Sequence, residues 1–487
     1  MFTATKDMFI QKAILEYKPE VQDLFVRQSK QQQSFDTFFN SLNLYLIKHY
    51  TDGKNLTIEL DCDGSGSVKV FHLDKKNKNV LFESEKLVNK IEIDLSNLSE
   101  TGMVYPVFEG DVKVKSLVYK VDAPSREMST SVIFTTYNRQ EFLIPNLYKL
   151  NTCEHVTNVV VVDNGKNVVL PKDLSERKFI VVPNDNLGGT GGFTRGMMVA
   201  KKLKSTHMFI MDDDITLIPE VVDKALSLIS CLKEDCKDNW LGFAMLPLSK
   251  PTMQFELGTK WNGVRMLINH HMMDVSKVEN LQENQVNSDY NYSAWWSLVM
   301  PITVIEKYNY PFPFFIKFDD IEYGLRREKE EIILTNGFAV WHEDFDKKYN
   351  PYLEYYLYRN ALVTNAYHDK KPLLRSLMRY FTKNTKCYFM FRHIEMKLFN
   401  IALNDYLKGP DFFYNLDIEK KNTEIRNIAK QKVNVLKGIF INPFIACGYF
   451  FKLMFKYNKA RKLYLKDRDK LTNETFWKKV FRIEDAK

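Results

Sequence analysis

The sequence predicts a mostly parallel α/β sheet core, with an N-terminal β-sandwich-like domain before it and a C-terminal helical region after it. Three changes of texture carry this expectation. From about residue 125 to residue 365, apolar strand-like runs alternate with helical segments, the pattern of a parallel sheet covered on both faces. Upstream, in residues 1–124, short segments alternate apolar and polar side chains with period two between turn residues. Downstream, residues 366–487 read as long helical segments rich in Phe, Tyr, Met and basic residues. At 487 residues the chain is too long for one core, so two or three domains are expected.

Composition narrows the function. A 45% hydrophobic and 14% aromatic content fills a sizeable interior, and 27% charged residues of both signs argue against global disorder. The net charge of +8 is modest, and no long Lys/Arg block alternates with aromatics. No nucleic-acid partner is therefore expected, and an anionic substrate or membrane surface suits the charge better. Cys62, Cys153, Cys231, Cys236, Cys387 and Cys447 show no CxxC pair or zinc spacing and read as reduced thiols of a cytoplasmic protein. Met1 to Lys18 mixes acidic and basic residues and lacks the apolar core of a signal peptide. Gly438 to Phe451 contains Asn442 and Pro443 and falls short of the ~20 residues that span a bilayer, so a soluble or peripheral protein is expected.

In the first segment, Leu56 to Leu60, Val68 to Phe71, Ile91 to Leu95 and Val112 to Val114 read as half-buried antiparallel strands, with Asp63-Gly64-Ser65-Gly66 as a hairpin turn. Asp61, Asp63, Ser65 and Gly66 imitate the start of a calcium loop. Its twelfth position is His72 where a bidentate Glu is needed, and the hairpin is the preferred reading.

In the core, Ser131 to Thr136, Val159 to Val162, Phe179 to Val182 and Met208 to Met211 read as buried strands. Polar groups cluster where they stop: Thr135 to Arg139, Asp163-Asn164, Asn184 to Gly192, and Asp212-Asp213-Asp214. In such sheets ligands gather at the carboxyl ends of the strands. Three adjacent carboxylates repel unless a cation or protons neutralise them, which suits a divalent-metal site. The alternative is an acidic loop capping the helix expected over Pro219 to Leu232. The glycine stretch Asn186 to Gly196 suggests close backbone approach to a ligand, yet it fits neither a dinucleotide fingerprint nor a P-loop.

Several motifs, in order and spacing, resemble the inverting GT-A glycosyltransferases of family 2. They are Thr135 to Arg139, Val162-Asp163-Asn164, Asn186-Leu187-Gly188-Gly189 and Asp212 to Asp214. Asn186 to Gly196, Ser293-Ala294-Trp295-Trp296, Phe315 to Arg326 and Val340-Trp341-His342 look like the bacterial galactofuranosyltransferases that build galactans. The resemblance covers roughly residues 125 to 365. It implies a GT-A core in which Asp212, Asp214 and His342 hold Mn²⁺ or Mg²⁺ bridging the diphosphate of a UDP-sugar. Carboxylates suit these hard ions, and an imidazole tilts the choice toward manganese. For His342 the alternative is a histidine packed beside Trp341.

On the donor side the resemblance assigns Thr135, Arg139, Asp163, Asn186, Gly189, Asp212 and Asp213, with Arg139, Asp163 and Asn186 holding uracil, ribose or phosphate. Arg139 could instead be a surface ion-pair partner. It makes Asp320 the base that takes the acceptor hydroxyl's proton and Asp319 an acceptor-binding or orienting neighbour. Two adjacent carboxylates behind Phe314-Phe315-Ile316 should push one pKa upward, as a base working near neutrality requires; the alternative is an acidic helix N-terminus. Trp295 and Trp296 would stack on the acceptor, although neighbours on a strand point to opposite sides, so one at most lines the site.

The tail follows the apolar run Ile439 to Phe451 with Lys452, Lys456, Lys459, Arg461, Lys462 and Lys466. It reads as a basic amphipathic surface for the inner leaflet of a membrane bearing a lipid-linked acceptor, or as a helical core or homo-oligomer interface with a solvated basic face. The expected activity is metal-dependent transfer of galactofuranose from UDP-galactofuranose to a growing surface glycan. The alternatives are transfer of rhamnose or galactopyranose, a nucleotide-sugar pyrophosphorylase, and a non-catalytic carbohydrate-binding protein.

Overall fold

A computed structural model describes residues 8–75, 77–87, 89–95, 98–174, 178–285, 289–344, 350–432 and 435–483. At the N-terminus, two long strands, Leu56–Asp74 and Met103–Asp122, pair along almost their whole length. Near one end of this ladder Met8–Lys12 and Lys90–Leu95 flank it, and near the other Gln32–Ser34 and Asn77–Ser84 do. The expected hairpin at Asp63 to Gly66 is absent, because these residues sit inside one continuous strand opposite Lys113 to Gly110. Gly64 adopts φ +103°, and a Cβ there would stand 1.9 Å from the Asp111 carbonyl oxygen. Glycine thus serves a close approach of two paired strands where a turn was expected.

The core sheet has strands β1 Thr130–Thr136, β2 Asn158–Asp163, β3 Phe179–Pro183, β4 His207–Asp212, β5 Trp240–Gly242, β6 Ser297–Pro301 and β7 Ile332–Ile333. Their spatial order is β3-β2-β1-β4-β6-β5-β7. The first four run parallel, β6 runs antiparallel to both neighbours, and β7 is parallel to β5. Val159 to Val162 and Met208 to Met211 are fully buried, as strands covered on both faces require. Helices α1 Gln140–Asn151, α2 Gly188–Lys202 and α3 Pro219–Ser230 follow β1, β3 and β4. The expected mixed α/β core is therefore present. A small second sheet joins Ile215–Thr216, Ala339–His342 and Ala244–Pro247.

Helix α4, Asp319–Gly324, leads toward the C-terminal helices α5 Leu353–His368, α6 Pro372–Phe389, α7 His393–Leu407 and α8 Val435–Thr472. Helix α8 corrects the expectation that its apolar run is too short. It continues through Asn442 and Pro443, and Gly438–Thr472 is long and apolar enough to cross a membrane. Asn442 donates its Nδ2–H to His393 Nδ1 at 2.8 Å, which gives this polar group a partner within the helical region.

Candidate active site

Parallel pairing sets Thr135 beside Asp212 and Thr136 beside Asp163, so the ends of β1, β2 and β4 present their polar groups together. The chain then turns through Asp213 and Asp214 into Ile215–Thr216, which pairs antiparallel with Trp341 and His342. That pairing brings a histidine 130 positions downstream onto the aspartates. His342 Nε2 lies 3.4 Å from Asp212 Oδ2 and 3.1 Å from Asp214 Oδ1. The three ligating atoms fall within 4.8 Å of one another.

The cluster carries the marks of a cation site. His342 Nδ1 lies 2.7 Å from the Glu343 carbonyl oxygen and donates to it, which turns the Nε2 lone pair toward the carboxylates when that nitrogen is unprotonated. Burial pushes the imidazole down, but the hydrogen bonds and charges of Asp214 and Asp212 outweigh burial and raise it to about 9. A proton thus does in the protein alone what a divalent ion would do between these groups. Two carboxylates and one oriented imidazole fit Mn²⁺ or Mg²⁺. On the opposite face of the same strand, Trp341 stacks on Tyr17 at 5.5 Å and packs against Phe39. The N-terminal layer thereby buttresses the strand that bears His342.

Arg139 donates to Asp214 at 2.7 Å and to Asp213 at 3.5 Å. It is partly an ion-pair partner within the site, with its side chain still 41% exposed at the rim. Asp213 is raised to about 7, first by burial and then by Asp214, against the lowering effect of Thr136 and Arg139. Asp163 is buried and both its oxygens accept backbone N–H groups of its own loop, from Gly165 at 2.9 Å and Val168 at 2.6 Å. Asn186 accepts from the Gly188 N–H at 3.3 Å. In the protein alone, Asp163 and Asn186 shape turns at the strand ends.

The glycine stretch forms the first turns of α2, and most of its glycines answer protein neighbours. A Cβ on Gly192 would lie 1.7 Å from Thr135 Oγ1, and one on Gly196 would lie 2.2 Å from Ile133 Cγ2. These glycines let α2 press onto β1. Gly189 differs, since a Cβ there would meet nothing nearer than Asp319 Oδ2 at 4.0 Å. Replacing Gly192 with Ala should destabilise the fold by about 1–3 kcal/mol, because the new Cβ would also lie 2.9 Å from Thr135 Cβ, a clash that no rotation of that side chain relieves. Chemical denaturation checks this, and an unchanged midpoint would refute the packing role.

The second carboxylate group sits on α4. Asp319 accepts from Thr190 Oγ1 at 2.8 Å, and Asp320 accepts from the Ile321 N–H at 2.8 Å. Burial raises both, and Asp320 is held well above the usual carboxylate range by burial and then by Asp319. The loop before α4 places Phe315, Lys317 and Phe318 at φ 79°, 66° and 71°, a left-handed run that side chains adopt only under constraint. Two buried residues of α5 supply it. Arg359 donates to the Phe314 carbonyl at 2.7 Å, and Asn360 donates to those of Ile316 at 3.0 Å and Lys317 at 2.8 Å.

Trp295 and Trp296 point apart. Trp296 donates its Nε1–H to the Phe243 carbonyl and faces the His342 ring edge-on at 6.5 Å, whereas Trp295 packs against Phe193 and Tyr323. Both are buried, and Trp295 Nε1 and Ser293 Oγ have no hydrogen-bond partner among the described residues. Sequence reasoning missed Glu256, Arg359 and Asn360. Glu256 is buried, is raised by burial to about 7, and its charge helps raise Asp320. No local motif marks it, because its role follows from the bridge that pairs it with Met245. Glu256→Gln should move the acid limb of the rate profile to lower pH, since Asp320 then loses its proton more readily. An unmoved limb would contradict the coupling.

No protein-family model matches the chain. Galactofuranosyltransferase GlfT2 of Mycobacterium tuberculosis is 24% identical over 454 residues, covering 82% of this chain and 69% of the relative. GlfT2 of Mycolicibacterium smegmatis is 23% identical over 438 residues, covering 82% and 67%. Among solved structures, S. aureus TarS 1–349 in complex with UDP aligns at 12% identity and a TM-score of 0.35, over 62% of this chain and 90% of that one. At that score the fold rests on the strand order given above.

Proposed function

We propose that this chain, a glycosyltransferase with galactofuranosyltransferases among its relatives, moves galactofuranose from UDP-galactofuranose to a hydroxyl of a growing bacterial surface glycan. The observation that carries the reading is a three-ligand cluster at the carboxyl ends of the parallel strands, in a chain that also buries an adjacent carboxylate pair on α4, both members raised by burial. Asp212, Asp214 and His342 would hold Mn²⁺ or Mg²⁺, which when bound offsets the charge growing on the departing diphosphate. Asp213 and Arg139 keep that cluster's charges in balance, and the exposed edge of Arg139 offers a cation to phosphate. Thr135, Asp163, Asn186 and Gly189 form the strand-end wall for the rest of the nucleotide sugar.

On the acceptor side, Asp320 takes the proton of the attacking hydroxyl as that oxygen bonds to the anomeric carbon and the bond to UDP breaks. Its raised pKa keeps it a strong enough base near neutrality. Asp319, held by Thr190, orients it. Trp295 borders the acceptor, Trp296 turns toward His342, and the charge of Glu256 helps hold Asp320 raised. One displacement of this kind inverts the anomeric configuration. The acceptor is a glycan or lipid-linked glycan, and the C-terminal region holds the enzyme peripherally on the inner face of the cytoplasmic membrane.

Incubating the purified chain with a panel of UDP- and dTDP-sugars and a short galactan-like acceptor, with Mn²⁺ or chelator, tests the donor by mass spectrometry. Product from UDP-galactofuranose with metal is expected. Product from dTDP-rhamnose or UDP-galactopyranose instead would keep the glycosyltransferase and overturn the galactofuranose assignment.

A further inference from the structure

Helix α4 is six residues long, and so short a helix takes its orientation from what it is packed against. Its first turn carries Asp319 and Asp320, and the residues that lead into it include Phe315, Lys317 and Phe318 in left-handed conformations. Glu322 lies two positions past Asp320, about 200° further around the helix, and is fully buried. Three side chains converge on its carboxylate. Arg326 donates from Nε to Oε1 at 3.1 Å and to Oε2 at 2.9 Å, and from Nη2 to Oε2 at 2.5 Å. His368, the last residue of α5, donates from Nε2 to Oε1 at 2.9 Å, and Arg468 of α8 stands 3.9 Å from the same oxygen. These contacts close a ring. Arg326 Nη1 also donates to the Tyr308 and Tyr310 carbonyls at 2.7 Å and 2.9 Å, the Tyr310 N–H donates to the Thr472 carbonyl at the end of α8, and α8 returns to Glu322 through Arg468.

We propose that Glu322 is a positioning residue for the transfer: its buried bonds to Arg326 and His368 and its ion pair with Arg468 fix α4 against α5 and α8, and so aim the Asp320 carboxylate at the acceptor hydroxyl. The inference rests on the reading of Asp320 as the base. A buried ion pair by itself is weak evidence even of a gain in stability. Two observations give this one a further role. First, it stands on the back of the helix whose front turn bears the base, and its ring of contacts joins that helix to both α5 and α8. Second, the chain drives neighbouring carboxylates in opposite directions. Burial raises Asp319 and Asp320, whereas at Glu322 the upward push of burial is outweighed by the charge of Arg326 and the hydrogen bond from His368, which hold it well below the usual range. Glu322 is thereby kept as a fixed ion while Asp320 is left able to exchange a proton, a division of roles between anchor and base. The C-terminal helices thus form part of the frame that sets the acceptor side.

A double-substitution cycle on the full chain tests this, with kcat and the KM for UDP-galactofuranose measured on transfer to a short soluble acceptor. Glu322→Gln keeps the side chain's shape and removes its charge. It should lower kcat on the order of 10- to 100-fold, since a displacement of about 1 Å suffices for that, while KM and Mn²⁺ affinity stay at wild-type values. Added to Asp320→Asn it should cost the residual rate little more, because a misaimed base matters only while the base is present. A residue that merely supports the fold would impose the same factor in both backgrounds, and that result would overturn the proposal, as would an unchanged kcat. Should Glu322→Gln fail to fold with Arg326 left uncompensated, the same cycle is run with His368→Leu, which removes one bond to the carboxylate. His368→Gln, which keeps an N–H donor, should then restore most of the lost kcat, and no recovery would overturn the proposal. Wild-type activity in Asp320→Asn alone would remove the base and this inference together. An inactive Asp320→Asn with additive losses would remove this inference only.

Discussion

Asp320→Asn should lower the transfer rate by on the order of 100- to 10,000-fold while leaving the protein at least as stable as the wild type at neutral pH. The loss follows from the base: an amide cannot take the acceptor's proton. The stability follows from linkage. Burial and Asp319 hold Asp320 well above the ordinary carboxylate range. A carboxyl whose folded pKa is raised costs stability once the pH exceeds its unfolded value, and a neutral amide avoids that cost. The same shift sets the pH dependence, since the base acts only when deprotonated and the rate should fall as pH drops through its raised pKa. Initial rates and thermal midpoints measured on the same preparation separate these effects. An inactive and destabilised variant would mean that Asp320 holds the fold rather than the reaction, and unchanged activity would remove it from the mechanism.

His342→Ala should weaken divalent-metal binding by more than about 100-fold, beyond the 10- to 100-fold cost of disturbing a residue that merely supports a ligand. In the protein alone His342 is raised to about 9 by hydrogen bonds and charges from Asp214 and Asp212 that outweigh its burial. Its proton is therefore present below about pH 9 and must leave when a cation takes its place between the carboxylates. Metal affinity should accordingly tighten as pH rises toward that value, with proton release per ion bound. Titration calorimetry in buffers of different ionisation enthalpy reads both, without any turnover. Affinity independent of pH, or wild-type affinity in the variant, would place the cation elsewhere.

The sequence disclosed groups that chain neighbours declare and hid those that only tertiary pairing creates. Asp212 to Asp214 at the end of an apolar strand were legible, as were the strands of the parallel core, since runs such as Val159 to Val162 have no other use. His342 was reached through resemblance, because the antiparallel pairing of Ile215 with His342 leaves no local trace. The glycine stretch was visible as a close approach, but its main partners are Thr135 and Ile133, more than 50 positions upstream. Asp63 to Gly66 read as a turn because strand continuity was set by a partner strand some 45 positions away, which composition does not announce. Arg359 and Asn360 looked like ordinary helix residues, yet they cap the carbonyls of the left-handed loop that aims α4. The apolar half of α8 reads as too short because Asn442 and Pro443 interrupt it in the sequence, yet the helix runs through both.

The proposed reaction is a single displacement at the anomeric carbon, with the cation cluster on the leaving-group side and Asp320 on the acceptor side. The anomeric configuration of the first product, read by NMR from the reaction of UDP-galactofuranose with a short soluble acceptor, distinguishes it from other paths. A new glycoside of configuration opposite to the donor's is predicted, formed by the wild type and absent with Asp320→Asn. A product that retains the donor's configuration would require two displacements or a different path, and would contradict the assignment of Asp320 as base.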